Sequence, residues 1–220
     1  MGRLIVLDGL DGSGKETQSK IIEKTLIERK YNVNRISYPN YDEESSALVK
    51  LYLSGKIFKN LFKINSFAAT SFYACDHYIT YEKNWKRFYI KNNVIVADRY
   101  VSSNAIHQMS KLNRSEWEDF LNWLYDYEIL KLGLPKEDLL IYLDVDPEIS
   151  KELVEKRNLS KDIHEENFEY MKVCRTAALF SAEKLGWKIL NCCRNGKMLK
   201  IEEIAKKIET LVLNFLEKGV

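Results

Sequence analysis

The run Gly9-Leu10-Asp11-Gly12-Ser13-Gly14-Lys15 holds the residue types that grip a polyphosphate. Glycines let the backbone turn its N–H groups inward, Lys15 reaches the terminal phosphates, and a helix opening behind the loop adds the positive end of its dipole. The apolar run Leu4-Ile5-Val6-Leu7 precedes it, and Ile21, Ile22 and Leu26 follow at helical spacing. That strand, loop and helix setting separates a phosphate loop from an ordinary glycine-rich turn. The place after the lysine calls for a Ser or Thr hydroxyl to hold Mg²⁺. Glu16 stands there instead, and Thr17 comes one place later, about 100° further round the helix.

Two more polar clusters follow apolar runs: Tyr38-Pro39-Asn40-Tyr41 after Val33 to Ser37, and Asp98-Arg99-Tyr100 at the end of Val94 to Asp98. Asp98 suits Mg²⁺ held through water, and Arg99 suits a bidentate grip on a phosphate. A strand-end salt bridge is the plain alternative for that pair. With Leu4 to Asp8, Leu139 to Asp144 and Trp187 to Asn191, these runs alternate with amphipathic stretches and predict five parallel strands buried on both faces. A helix is expected after Ser115, where Ser115-Glu116-Trp117-Glu118 has capping-box spacing, ending near Gly133. In the last helix Ile201, Ile204, Ile208, Leu211, Val212 and Phe215 form one apolar stripe read as core packing. Pro39, Pro135 and Pro147 all fall at predicted loops or element edges. The class is a doubly wound α/β sheet with ligands at the carboxyl ends of its strands, so the three clusters converge on one crevice.

At 220 residues and 45% hydrophobic content, residues 1–220 suffice for one large domain with a buried core. A formal charge of +2, spread among interspersed acids and bases, argues against a general nucleic-acid or membrane surface. Cys75, Cys174, Cys192 and Cys193 form no CxxC pair and have no histidine at zinc spacing, which reads as free thiols in a reducing compartment. Strand-like sequence begins by Arg3, no secretory apolar region precedes the loop, and no apolar run is long enough for a bilayer. A soluble, cytoplasmic protein is the expectation.

Three segments together resemble the thymidylate kinases, P-loop nucleoside monophosphate kinases, and the likeness runs nearly end to end. They are Asp8 to Lys15 with Thr17-Gln18, Asp98-Arg99-Tyr100-Val101-Ser102-Ser103-Asn104-Ala105-Ile106-His107-Gln108, and Leu143-Asp144-Val145-Asp146-Pro147-Glu148. The Asp-Arg-Tyr-x-x-Ser segment is the more specific signal, since many NTPases share the phosphate loop. The resemblance implies a P-loop NTPase fold, a five-stranded parallel sheet flanked by helices, with a short helical lid over about 151–167. It implies ATP- and Mg²⁺-dependent phosphorylation of dTMP to dTDP in deoxynucleotide biosynthesis, by a homodimer.

Carried over residue by residue, Gly9, Leu10, Asp11, Gly12, Ser13, Gly14, Lys15, Glu16 and Thr17 would surround the ATP phosphates. Asp11 would also lie near the acceptor's 3'-hydroxyl, Arg99 would bind its phosphate and Tyr73 would stack on its pyrimidine. Pro39, Tyr41 and His77 fall at acceptor-contacting positions. Selection of thymine would come from Ser103, Asn104 and Gln108, and His107 would sit near the deoxyribose. Gly12 stands where some relatives carry Arg in the loop, which would pass the transfer-stabilising cation to the lid. Lys156, Arg157 and Lys161 lie there, with Arg157 best aligned. Lys15, Asp98, Arg99 and Arg157 would then be the catalytic group. Plainer readings exist: Tyr73 as core, Asn104 or Gln108 as helix caps, and the lid cations as a solvated face. The loop Cys192-Cys193-Arg194-Asn195-Gly196 is a place for adenine contacts through the backbone.

Glu16, Tyr41 and His77 depart from the pattern. The family has Ser or Thr at the first and Arg at the other two, and neither a phenol nor a mostly neutral imidazole supplies a guanidinium's charge and donor fork. Two arrangements are open at Glu16. It joins the Mg²⁺ shell with the ion between it and the triphosphate, or it points to solvent and leaves the metal to water, phosphate and Asp98. The lid's usual Asp-Arg pair is also expected to be missing, because Lys161-Asp162 reads in the opposite order. These departures keep two alternatives beside dTMP phosphorylation: a kinase for another nucleoside monophosphate, or a catalytically weakened nucleotide-binding regulator.

Overall fold

Strand side chains alternate between two helical layers. In a computed structural model describing residues 1–56, 60–156 and 168–217, strand β1 (Arg3–Gly9) sends Leu4 and Val6 into one hydrophobic cluster and Ile5 and Leu7 into another on the opposite face. Strands β3 (Val94–Asp98) and β4 (Leu139–Asp144) divide in the same way, which is why their sequences are apolar throughout rather than alternating. Each fully buried Leu or Ile contributes about 1.5–3 kcal/mol, so the central strands are the most strongly held part of the chain. The described part of the lid segment ends at Lys156, and the lid residues Arg157 and Lys161 lie outside the described residues.

With β2 (Val33–Ser37) and β5 (Lys188–Asn191), the sheet is parallel and ordered β2-β3-β1-β4-β5. Helix α1 (Lys15–Glu28) and the last helix, α9 (Ile201–Glu217), cover one face. The other carries α5 (Ser102–His107), α6 (Trp117–Tyr125) and α8 (Phe168–Leu185). Between β2 and β3 the chain builds α2 (Ala47–Leu53), α3 (Ser66–Thr80) and α4 (Lys86–Tyr89), with Tyr52, Ile64 and Ala69 as a small separate core. Helix α7 (Pro147–Lys156) follows β4, with Asp146 accepting from the Glu148 N–H at 3.0 Å and Pro147 as its first residue.

Several sequence expectations shift. The capping residue is Asn113, not Ser115: the Glu116 carboxylate accepts from the Asn113 N–H at 2.9 Å and from its amide at 2.8 Å, and a tight turn over Arg114–Glu116 leads into α6. Helix α6 widens into a π-helical turn over Asp126–Lys131 before Gly133 ends it at φ 70°. Ile201 is half exposed at the start of the last helix, where the apolar stripe has not yet reached the sheet. Trp187 is buried just ahead of β5, and the expected loop after β5 contains an antiparallel hairpin, β6 (Cys193–Arg194) with β7 (Lys197–Met198).

Candidate active site

Register brings three strand ends to one level. Leu7 and Ser37 both lie opposite Asp98, so the phosphate loop, the Tyr38-Pro39 turn and Arg99 leave the sheet side by side. After β3 the chain crosses β1 to form β4 on its other side, which makes the β1/β3 edge a topological switch point where a crevice opens. A cavity of about 770 Å³ lies there, lined by the loop, the Tyr38 turn, Tyr73 of α3 and α5. Tyr38-Pro39 is a cis peptide.

Gly12 and Gly14 take left-handed backbone conformations, at φ 82° and 84°, that let the loop turn at little steric cost. Gly12 has a second constraint, since a Cβ there would fall 2.7 Å from the Ser150 carbonyl oxygen of α7. The Ser150 hydroxyl in turn donates to the Asp11 carbonyl, so the helix leading to the lid is seated directly on the phosphate loop. The Lys15 ammonium donates to the Leu10 carbonyl at 2.8 Å and lies 3.9 Å from Asp11. Burial, with the nearby Arg99 charge, pulls its pKa down to about 8. Burial likewise raises the Asp98 carboxyl from its ordinary value, with Lys15 and Arg99 pulling it back.

Arg99 holds a left-handed backbone at φ 66°, uncommon for a residue with a side chain and a mark of a position fixed by its surroundings. Its guanidinium pairs with Asp11, lies 3.9 Å from Asp8, and meets His107 Nε2 at 3.3 Å. Asp8 is fully buried and accepts from the Gly9 N–H at 2.8 Å, Ser102 Oγ at 2.6 Å and Ser103 Oγ at 2.9 Å. One carboxylate thereby joins the end of β1 to the start of α5.

The cavity brings together Asp11, Gly12, Gly14, Lys15, Glu16 and Thr17 from the loop region, with Asp98 and Arg99 from the end of β3. Pro39, Tyr41, Tyr73, Ser103, Asn104, His107 and Gln108 line it as well. Gly9, Leu10 and Ser13 are buried and do not line the cavity. His77 also departs from its expected place. It is buried behind the wall with Nδ1 2.6 Å from Glu128, because a short imidazole satisfied by a buried carboxylate does not reach where a longer arginine would. Glu16 is mostly exposed and accepts from Lys20 at 2.6 Å, one turn along the helix.

The family model for thymidylate kinase matches residues 7–208. The chain belongs to the thymidylate kinase family. It is 25% identical to the thymidylate kinase of Plasmodium falciparum, over 98% of this chain and 96% of that protein. It is 26% identical to the Caldicellulosiruptor saccharolyticus thymidylate kinase, over 99% and 98% respectively. The solved thymidylate kinase of Candida albicans superposes with a TM-score of 0.74 at 20% identity, covering 97% of this chain and 92% of that one, which supports the shared fold.

The loop and its surroundings fit the family's ligands. A turned, glycine-bearing loop with a buried lysine behind it matches a polyphosphate, and the buried Ser13 hydroxyl has no partner among the described residues. Among the described residues no three His, Cys, Asp or Glu side chains gather as a metal cage. Mg²⁺ is commonly held by one or two carboxylates with water and substrate phosphates, a role within the chemistry of Asp98. Sequence reasoning missed Asp8, Ser102, Ser150 and Glu128. Asp8 and Ser102 stood inside the quoted motifs, whereas Glu128 sits in an unremarkable amphipathic stretch that carries no motif.

Proposed function

We propose that this thymidylate kinase family member transfers the γ-phosphoryl group of ATP to dTMP, forming dTDP and ADP, with Mg²⁺ bound alongside the phosphates. The observation carrying this reading is the single cavity holding the phosphate loop at one side and Arg99, Tyr73, Asn104 and Gln108 at the other. Donor phosphates sit on the loop against Lys15, and the acceptor phosphate against Arg99. The acceptor oxygen is already ionised near neutral pH, so no general base is required, and positioning with charge neutralisation supplies the rate. Lys15 must leave the Leu10 carbonyl to meet the phosphates, and Arg99 must share its donors between Asp11 and the acceptor. Asp98 would hold Mg²⁺ through water, and the ion would supply neutralisation of phosphate charge. Glu16, turned to Lys20, stands outside that shell. Carried over from the resemblance, Arg157 would supply the lid cation, with Lys156 and Lys161 as the segment's other basic residues, and such a cation neutralises charge on the moving phosphoryl group.

Tyr73 stacks on the pyrimidine, a contact that suits any planar base. His107 and Tyr41 flank the sugar and phosphate, and the β6–β7 hairpin, whose Met198 lies 3.6 Å from the position a Gly14 Cβ would take, borders the adenine side. The protein works as a homodimer in the cytoplasm. Free cysteines suit a reducing compartment, and among the described residues no helix is long and apolar enough to cross a membrane.

Separate variants test donor and acceptor halves. Lys15→Ala lowers kcat/KM for ATP by about 100-fold or more, and Arg99→Ala does the same for dTMP while leaving ATP binding in place. Unchanged turnover in Lys15→Ala would remove the proposed donor site.

A further inference from the structure

Glu128 is a carboxylate with no exposed surface, placed by the π-helical turn after α6 beneath the cavity wall. Its Oε2 lies 2.6 Å from His77 Nδ1, and its Oε1 accepts from Asn104 Nδ2 at 2.9 Å. With its Nδ2 donating to Glu128, the Asn104 amide has its NH₂ end turned toward that carboxylate. The carbonyl end is then the one left for the cavity that Asn104 lines. Four residues later on the same face, Gln108 presents the reverse. Its Oε1 accepts from Tyr52 at 3.4 Å, and its buried Nε2 has no partner among the described residues. The wall thus carries an acceptor and a donor about one helical turn apart, next to Tyr73.

We infer that the buried Glu128–His77 pair is a positioning device that fixes the Asn104 amide and thereby sets which base edge the cavity accepts. Resting on the acceptor site proposed above, it names what that site discriminates. Thymine and uracil offer an N3–H donor to the Asn104 carbonyl and an O4 acceptor to the Gln108 amide. Cytosine offers the opposite at both places, an N3 acceptor and an N4 amine. Cytosine therefore leaves two buried polar groups opposed, which costs far more than a lost contact. Guanine shares the thymine pattern at N1–H and O6, so the pair does not reject it, and the size of the cavity must.

Glu128→Gln frees the choice, because a glutamine can donate to the Asn104 carbonyl as readily as accept from its NH₂. Calorimetric dissociation constants for dTMP, dUMP and dCMP on the full chain read the effect without depending on turnover. The wild type binds dTMP over dCMP by at least ~10-fold, and Glu128→Gln reduces that ratio severalfold while dTMP and dUMP change together. General loosening of the site would weaken all three alike and leave the ratio standing. If Glu128→Gln does not fold, Asn104→Ala carries the test, with dTMP weakened and dCMP strengthened because the opposed carbonyl is gone. Equal binding of dTMP and dCMP by the wild type, or an unchanged ratio in a folded variant, overturns the inference. Binding selectivity without any dTDP formation would instead fault the kinase reading alone.

Discussion

Lys15 keeps its charge inside the protein at a cost. Its pKa is lowered from 10.5 to about 8 by burial and by Arg99, so below pH 8 the folded chain carries the full penalty of a buried ammonium. The unfolded chain holds that proton up to its ordinary value. The Lys15 contribution to stability therefore improves as pH rises from about 8 to 10.5. A polyphosphate reverses the balance by favouring the charged form. ATP binding at about pH 8.5 takes up a proton, and ATP affinity falls as the pH climbs above 8. Calorimetry in two buffers of different ionisation heat reads the uptake, and equal heats would contradict it. Gly12 is the other sensitive residue. Gly12→Ala combines a left-handed backbone with a Cβ 2.7 Å from the Ser150 carbonyl, and we expect a loss of about 1–3 kcal/mol in denaturant unfolding together with a raised KM for ATP. Wild-type values for both would mean that α7 shifts freely from the loop.

At the scale of elements, the site depends on three strand ends at one level and on Asp8 tying α5 to β1. Asp8→Asn substitutes an amide NH₂ for one of two oxygens to which the Gly9 N–H and two serine hydroxyls donate, so at least one of them loses its acceptor. A stability loss of about 1–3 kcal/mol follows, with a weaker acceptor site because α5 carries Ser103, Asn104 and His107. Thermal unfolding and the KM for dTMP measure the two effects, and a change in neither would contradict the tie. The central strands were legible because residues buried on both faces leave continuous apolar runs such as Val94 to Ala97, whereas the edge strands β2 and β5 are only partly buried. The start of α6 was less legible, since Asn113-x-x-Glu116 and Ser115-x-x-Glu118 have the same spacing and the capping box forms at the first. The β6–β7 hairpin was missed because two-residue strands carry no periodicity.

For the molecule as a whole, the sequence resolved the fold through motif context, whereas the partners behind the cavity wall are long-range. His77 and Glu128 are 51 residues apart, and their pairing has no local signature. Leu48 and Leu51 on α2 and Phe67, Tyr78 and Ile79 on α3 remain substantially exposed, an apolar surface consistent with the proposed homodimer. Sedimentation is expected to give twice the chain mass, and Leu48→Glu with Leu51→Glu to shift it toward the monomer. A monomeric wild type would contradict that assembly. Phosphoryl transfer to dTMP is the activity proposed for this cavity. Its most direct test is dTDP formation from ATP, Mg²⁺ and dTMP by the purified protein, beside reactions lacking acceptor or supplied with dUMP, dCMP or dGMP. Rapid dTMP-dependent dTDP formation, lost in Lys15→Ala, is the predicted result; nucleotide binding with no dTDP formed would contradict it.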